Sequence, residues 1–119
     1  AQFRSAVVGF PPPVEEVVIP RFYQGDFDGD GKSDILWRHA ANGQNQIWKS
    51  GSSSTPQAIA TMATLSWKMV GVGDFNGDDR SDILWRNSGS GQNSIWRSGN
   101  ISTATGVTTL GDLSWEVKP

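Results

Sequence analysis

The chain has 119 residues, 36% of them hydrophobic, no cysteine and a formal charge of −2. That allows one small domain or part of a larger one. It excludes a disulfide framework and a thiolate metal site, and the low apolar content implies support beyond a simple core. No apolar run approaches the ~18 residues that would span a membrane, and the start AQFRSAVVGF is too polar for a signal-peptide core.

Residues 1–21 stand apart from the rest of the chain. Pro11, Pro12 and Pro13 make a stiff extended segment, and VEEVVIPRF, interrupted by Pro20, reads as a linker or as a strap strand. From residue 22 the chain is a duplication: residues 22–69 superimpose on 70–117 without a gap, with 24 of 48 positions identical. All six tryptophans pair, Trp37 with Trp85, Trp48 with Trp96 and Trp67 with Trp115. Matched tryptophans mean that each copy fills the same structural slots, so the architecture is a repeat.

Within one copy, strand and turn signals alternate. In the second, KMVGVGD (68–74) predicts a strand with glycines at close approaches. DILWR (82–86) comes next as a short apolar strand, then the turn SGSGQ, the strand SIWR (94–97), the turn SGN, and the β-branched stretch TGVTTL (105–110) as a fourth strand. No window shows helical periodicity with caps. The prediction is an all-β chain with two four-stranded antiparallel β-propeller blades, 22–69 and 70–117. LSWEVKP (113–119) repeats the lead-in LSWKMVG, so it is expected to be the opening strand of a third blade. Two blades cannot close a propeller, and the ring would be completed by homo-oligomerisation or by a longer array.

The charge is uneven in the same register. Residues 26–34 and 74–82 carry −6 between them and the remainder +4. Concentrated acid points to a locally bound cation and away from nucleic acid. DFDGDGKSD places Asp26, Asp28, Asp30 and Asp34 at loop positions 1, 3, 5 and 9, with the carbonyl of Lys32 at position 7. The second loop offers Asp74, Asn76, Asp78 and Asp82 with the carbonyl of Arg80. Six to eight oxygen ligands from a flexible loop suit calcium, and magnesium demands stricter octahedral geometry. Two structural calcium sites are expected, the second the weaker because Asn76 removes one charge and Asp79 stands where a left-handed glycine is wanted. An EF-hand would need a glutamate at position 12, where this chain has Trp37 or Trp85. An ion-free Asp/Gly turn is the alternative, opposed by the mutual repulsion of the carboxylates.

DFDGDGKSDILWR and GVGDFNGDDRSDILWR resemble the FG-GAP/VCBS-type repeat of integrin-like β-propellers and many secreted bacterial proteins, whose acidic loop binds calcium. With WRN, GQNSIW and LSW the pattern is especially similar to PLL-type bacterial propeller lectins. The resemblance covers residues 22–119. It implies a secreted, non-enzymatic, calcium-stabilised module binding carbohydrate, with fucose-type sugars as candidates. Trp48, Trp96, Trp67 and Trp115 would be the stacking rings, and Arg38, Arg86, Gln44, Gln92, Asn45 and Asn93 the polar partners. The alternatives are core packing, assigned to Trp37 and Trp85 within their ILW strands, and a protein-interaction or adhesion role. Nothing indicates catalysis: His39, the sole histidine, is matched by Asn87, and no nucleophile motif or phosphate loop is present.

Overall fold

The computed structural model describes residues 25–118, so the expectations for residues 1–21, and for the first strand of the first copy, lie outside the described residues. Seven strands form two antiparallel sheets. The first contains β1 (Ile35–Arg38), β2 (Asn45–Trp48) and β3 (Pro56–Ile59) in that order. The second contains β4 (Trp67–Gly73), β5 (Asp82–Asn87), β6 (Asn93–Trp96) and β7 (Thr105–Val107), also in chain order. The chain is thus all-β. Among the described residues no helix is long and apolar enough to cross a membrane.

The register of the two copies is the same. Trp37 pairs with Gln46 and Arg38 with Asn45, as Trp85 pairs with Ser94 and Arg86 with Asn93. The turn between these strands needs a left-handed residue, and Gly43 (φ 75) and Gly91 (φ 77) supply it. A Cβ on Gly43 would collide with the carbonyl oxygen of Met62, and one on Gly91 with that of Leu110, so the backbone tolerates only glycine here. The ladder of the second sheet slips between Met69 and Gly71, a bulge that sets Val70 outside the pairing.

Two expected strands change. The fourth ends at Val107 rather than Leu110, because the carbonyls of Thr108 and Leu110 accept from the side chains of Asn93 and Arg86 instead of a ladder partner. Residues 113–118 form no strand: Trp115 donates its N–H to Asp112 in a turn. Its counterpart Trp67 opens β4 because β5 lies beside it, and no described strand lies beside residues 113–118.

The sheets stack with opposite faces in contact. Side chains alternate along each strand, so β1 and β2 present Leu36, Arg38, Asn45 and Ile47 to the second sheet and Ile35, Trp37 and Trp48 away from it. The second sheet meets them with Ile83, Trp85 and Trp96, and these three with Ile47 and Phe27 make the buried core. Gly99, in the turn after β6, sits where a Cβ would fall 3.2 Å from Ile47 and 3.8 Å from Ile59 of the first sheet. Here the assignment of both ILW tryptophans to the core fails for one of them. Trp85 is fully buried, while Trp37 is 45% exposed, because the first sheet has no described neighbour on that side.

Candidate metal centre

The loop preceding β1 is organised by its first carboxylate. Asp26 Oδ1 accepts from the N–H of Gly29 (2.9 Å) and of Asp30 (3.2 Å), and Oδ2 from that of Gly31 (2.9 Å). Gly29 and Gly31 hold positive φ, which lets consecutive N–H groups converge on one carboxylate. Asp34, at position 9, uses both oxygens in another way. Its Oδ2 accepts from Phe27 N (2.8 Å) and its Oδ1 from Ser50 N (2.8 Å), so it ties the loop to the turn after β2. Asp28 accepts from the N–H of Asp30 (3.3 Å), and Asp30 from that of Lys32 (2.9 Å).

The four carboxylates converge. One oxygen from each of Asp26, Asp28, Asp30 and Asp34 lies within 4.8 Å of the other three. Oxygens bound to one calcium at ~2.3–2.6 Å are separated by no more than about 5 Å, so the spacing of these four lies within the range that one such ion allows. The electrostatics agree: burial first, and then the neighbouring Asp26, Asp34 and Asp30 carboxylates, push the Asp28 carboxyl above its ordinary value. Asp30 goes the other way, lowered chiefly by the Lys32 N–H.

The second loop repeats the scaffold. Asp74 Oδ1 accepts from Gly77 (2.8 Å) and Asp78 (3.1 Å), and Oδ2 from Asp79 (2.9 Å). Asp82, fully buried, accepts from Phe75 N and Ser98 N at 2.9 Å each. Burial works to raise the Asp74 carboxyl, but the N–H groups of Asp79, Asp78, Gly77 and Asn76 outweigh it and hold the carboxyl below its usual range. Asp79 adopts φ 66, the left-handed backbone expected at position 6. The convergence of the first loop has no counterpart among the described acidic residues of the second. Asn76 donates its amide to Asp78 (3.4 Å), an internal bond that an aspartate at that position cannot make. Arg80, at position 7, extends its side chain over Gly29 of the first loop.

The family model of the FG-GAP-like repeat matches residues 26–85, from the first aspartate of one loop, through the other loop, to Trp85. The chain belongs to the FG-GAP-like repeat family. Comparison with curated proteins and with solved structures gave no significant match. In this FG-GAP-like repeat the two acidic loops lead directly into β1 and β5. The loops are also linked to each other: Ser81 donates its N–H to the Asp26 carbonyl (2.7 Å), and Ser81 Oγ accepts from Gly25 N (2.8 Å).

Of the residues assigned to sugar recognition, the arginines and asparagines make hydrogen bonds within the FG-GAP-like repeat itself. Arg38 donates to the carbonyls of Gly43, Met62 and Trp67 and to Asn45 Oδ1, at 3.0–3.2 Å. Arg86 repeats the pattern on Gly91, Leu110 and Asn93. Asn45 and Asn93 complete each clamp by donating to the carbonyls of Ala60 and Thr108. Burial pulls the Arg38 pKa down, and its guanidinium lies 5.0 Å over the Trp85 ring, a contact of about 1–2 kcal/mol when desolvated. Trp96, 2% exposed, is closed to any ligand. Trp48, half-buried, stacks on Trp37 with centroids 4.9 Å apart, and its Nε1 donates to Gln46. Trp67 is half-buried, Trp115 is 61% exposed, and Gln44 and Gln92 are exposed. Gln44 Oε1 accepts from the Asn42 side chain and Gln92 Oε1 from that of Ser90.

The arginine clamp is the feature that residue patterns did not reveal, although its identical placement in both copies was a signal for it. His39 also has a role hidden in the sequence. Its Nδ1 accepts from Ala41 N and Asn42 N, as Asn87 Oδ1 accepts from Gly89 N and Ser90 N. The histidine imitates an Asx turn.

Proposed function

We propose that this chain is a calcium-stabilised, non-enzymatic interaction module of the β-propeller type, acting outside the cell. The convergence of Asp26, Asp28, Asp30 and Asp34 within 4.8 Å carries the reading. A divalent cation there removes the like-charge repulsion felt by Asp28, and the carbonyl of Lys32 is available as a further ligand. The ion's role is structural. It fixes the loop whose position-9 carboxylate already holds the turn after β2, and extracellular calcium concentrations suit a site of modest affinity. In the second loop, Asp74, Asn76, Asp78 and Asp82 with the Arg80 carbonyl form a weaker site that closes only when the ion draws Asp78 and Asn76 inward.

Calorimetric titration with calcium, paired with thermal melting in calcium and in chelator, tests this. At 100 times the dissociation constant the bound ion adds about 2.7 kcal/mol, a rise of roughly 10–20 °C for a chain of this size. Asp28→Asn should cut the affinity and the rise together. An absence of heat with an unchanged melting temperature would overturn the metal reading.

Carbohydrate binding is the second reading, favoured by one groove. Trp37, Arg38, His39, Gln44, Gln46 and Trp48 line it on the outward face of the first sheet. An apolar sugar face would stack on the tilted Trp37–Trp48 pair, with Gln44 and Gln46 taking its hydroxyls. Retention of the calcium-loaded chain on immobilised fucose, abolished by Trp48→Ala, supports this reading. Passage through a panel of glycans without retention removes it and leaves protein partners.

A further inference from the structure

The contact between the two sheets has a direction, and it leaves a matched half of itself exposed at each end. In the buried contact, Leu36, Ile59 and Met62 pack against the cluster that contains Ile83 and Trp85, with the Arg38 guanidinium over the Trp85 ring. The same set recurs 48 positions later. Leu84, Arg86, Val107 and Leu110 line a groove on the outer face of the second sheet, and Trp115 and Val117 of the chain's own C-terminal segment form its other wall. Val107 and Leu110 are exposed there. The knobs recur too, at the opposite end. Ile35 and Trp37, counterparts of Ile83 and Trp85, are 40% and 45% exposed on the face of the first sheet that no other described element covers.

Each end therefore displays what the other end is built to receive. We propose that the groove of the second sheet takes Ile35 and Trp37 of a second copy of this chain, head to tail, reproducing between chains the packing seen within one. Phe75, 51% exposed, is covered as Phe27 is, at 5%. The occupant is a second copy because the internal contact is a complete template for the external one. The interface is heterologous, so it propagates until a ring closes. The inference deepens the interaction-module reading by naming the chain itself as a partner, and it does not depend on the metal.

Light scattering on the full chain tests it, in saturating calcium and in chelator. The expected mass is a multiple of 12.9 kDa. Trp37→Glu spoils only the knob and Val107→Glu only the groove, so each alone should be monomeric with a cooperative melt. Mixed one to one they should form a dimer and no larger species, since one good knob and one good groove remain. Should either variant fail to fold, Ile35→Glu and Leu110→Glu serve as the second pair. A monomeric parent chain, or two folded variants that stay monomeric when mixed, overturns the proposal. Assembly that persists without any calcium binding sinks the metal reading and leaves this one intact.

Discussion

Trp37 and Trp85 share the same local sequence, ILWR, and the same register in their sheets, yet one is half open and the other has no exposure at all. Tertiary neighbours alone make the difference, which is why residue patterns placed both in the core. Trp85→Ala should cost about 3–5 kcal/mol in a denaturant titration. Trp37→Ala, measured at a dilution where the chain is monomeric, should cost under about 1 kcal/mol. Trp85 Nε1 is buried without a hydrogen-bond partner among the described residues, a penalty of about 1–3 kcal/mol, so Trp85→Phe should be much milder than its lost volume suggests. Arg86 is the second test at this scale. Its fork reaches backbone carbonyls in two segments as well as Asn93, and the ammonium of a lysine cannot span them. Arg86→Lys should therefore lose nearly as much stability as Arg86→Ala, about 2–3 kcal/mol by thermal or urea unfolding.

Within each sheet, the strands were legible because short apolar runs bounded by glycine turns repeat in register, and three of the four predicted in the second copy lie within a residue or two of the observed spans. The clamps were not legible, because Arg38 reaches carbonyls 24 and 29 residues away and backbone oxygens carry no sequence signature. The acidic loops were read correctly as turns with a left-handed position 6, and that position separates the two copies. Gly31 stands there in one, while Asp79 stands in the other at φ 66. Asp79→Gly relieves backbone strain and one like charge, so it should stabilise the chain by about 0.5–1 kcal/mol. It should also raise the calcium affinity of the second loop, read as a second transition in the calorimetric titration. Asp34→Asn and Asp82→Asn should both destabilise, because each acid accepts two N–H groups that a carboxamide, with its single acceptor oxygen, cannot both satisfy.

For the molecule as a whole, the described residues form two sheets that bury one interface and leave apolar side chains exposed at each end, so on the proposed head-to-tail contact stability should depend on protein concentration. The melting temperature of the parent chain should rise with concentration, while that of Trp37→Glu stays flat. Low apolar content fits this arrangement: a chain whose core is completed by neighbours needs less of its own. The sequence indicated that two copies cannot close a ring. The direction of the contact came only from seeing which face of each strand is covered.

The paired indoles give the chain an optical property of its own. Trp85 and Trp96 lie with ring centroids 4.7 Å apart at 48°, and Trp37 and Trp48 at 4.9 Å and 55°. Transition dipoles that close and that skewed couple, so each pair should contribute a split circular-dichroism band of its own. Of the two pairs, a soluble quencher reaches only the outer one in an isolated chain and neither once that side is capped, against a constant background from the exposed Trp115. Spectroscopy without any added label can thus count how many tryptophan pairs are shielded at each step of assembly.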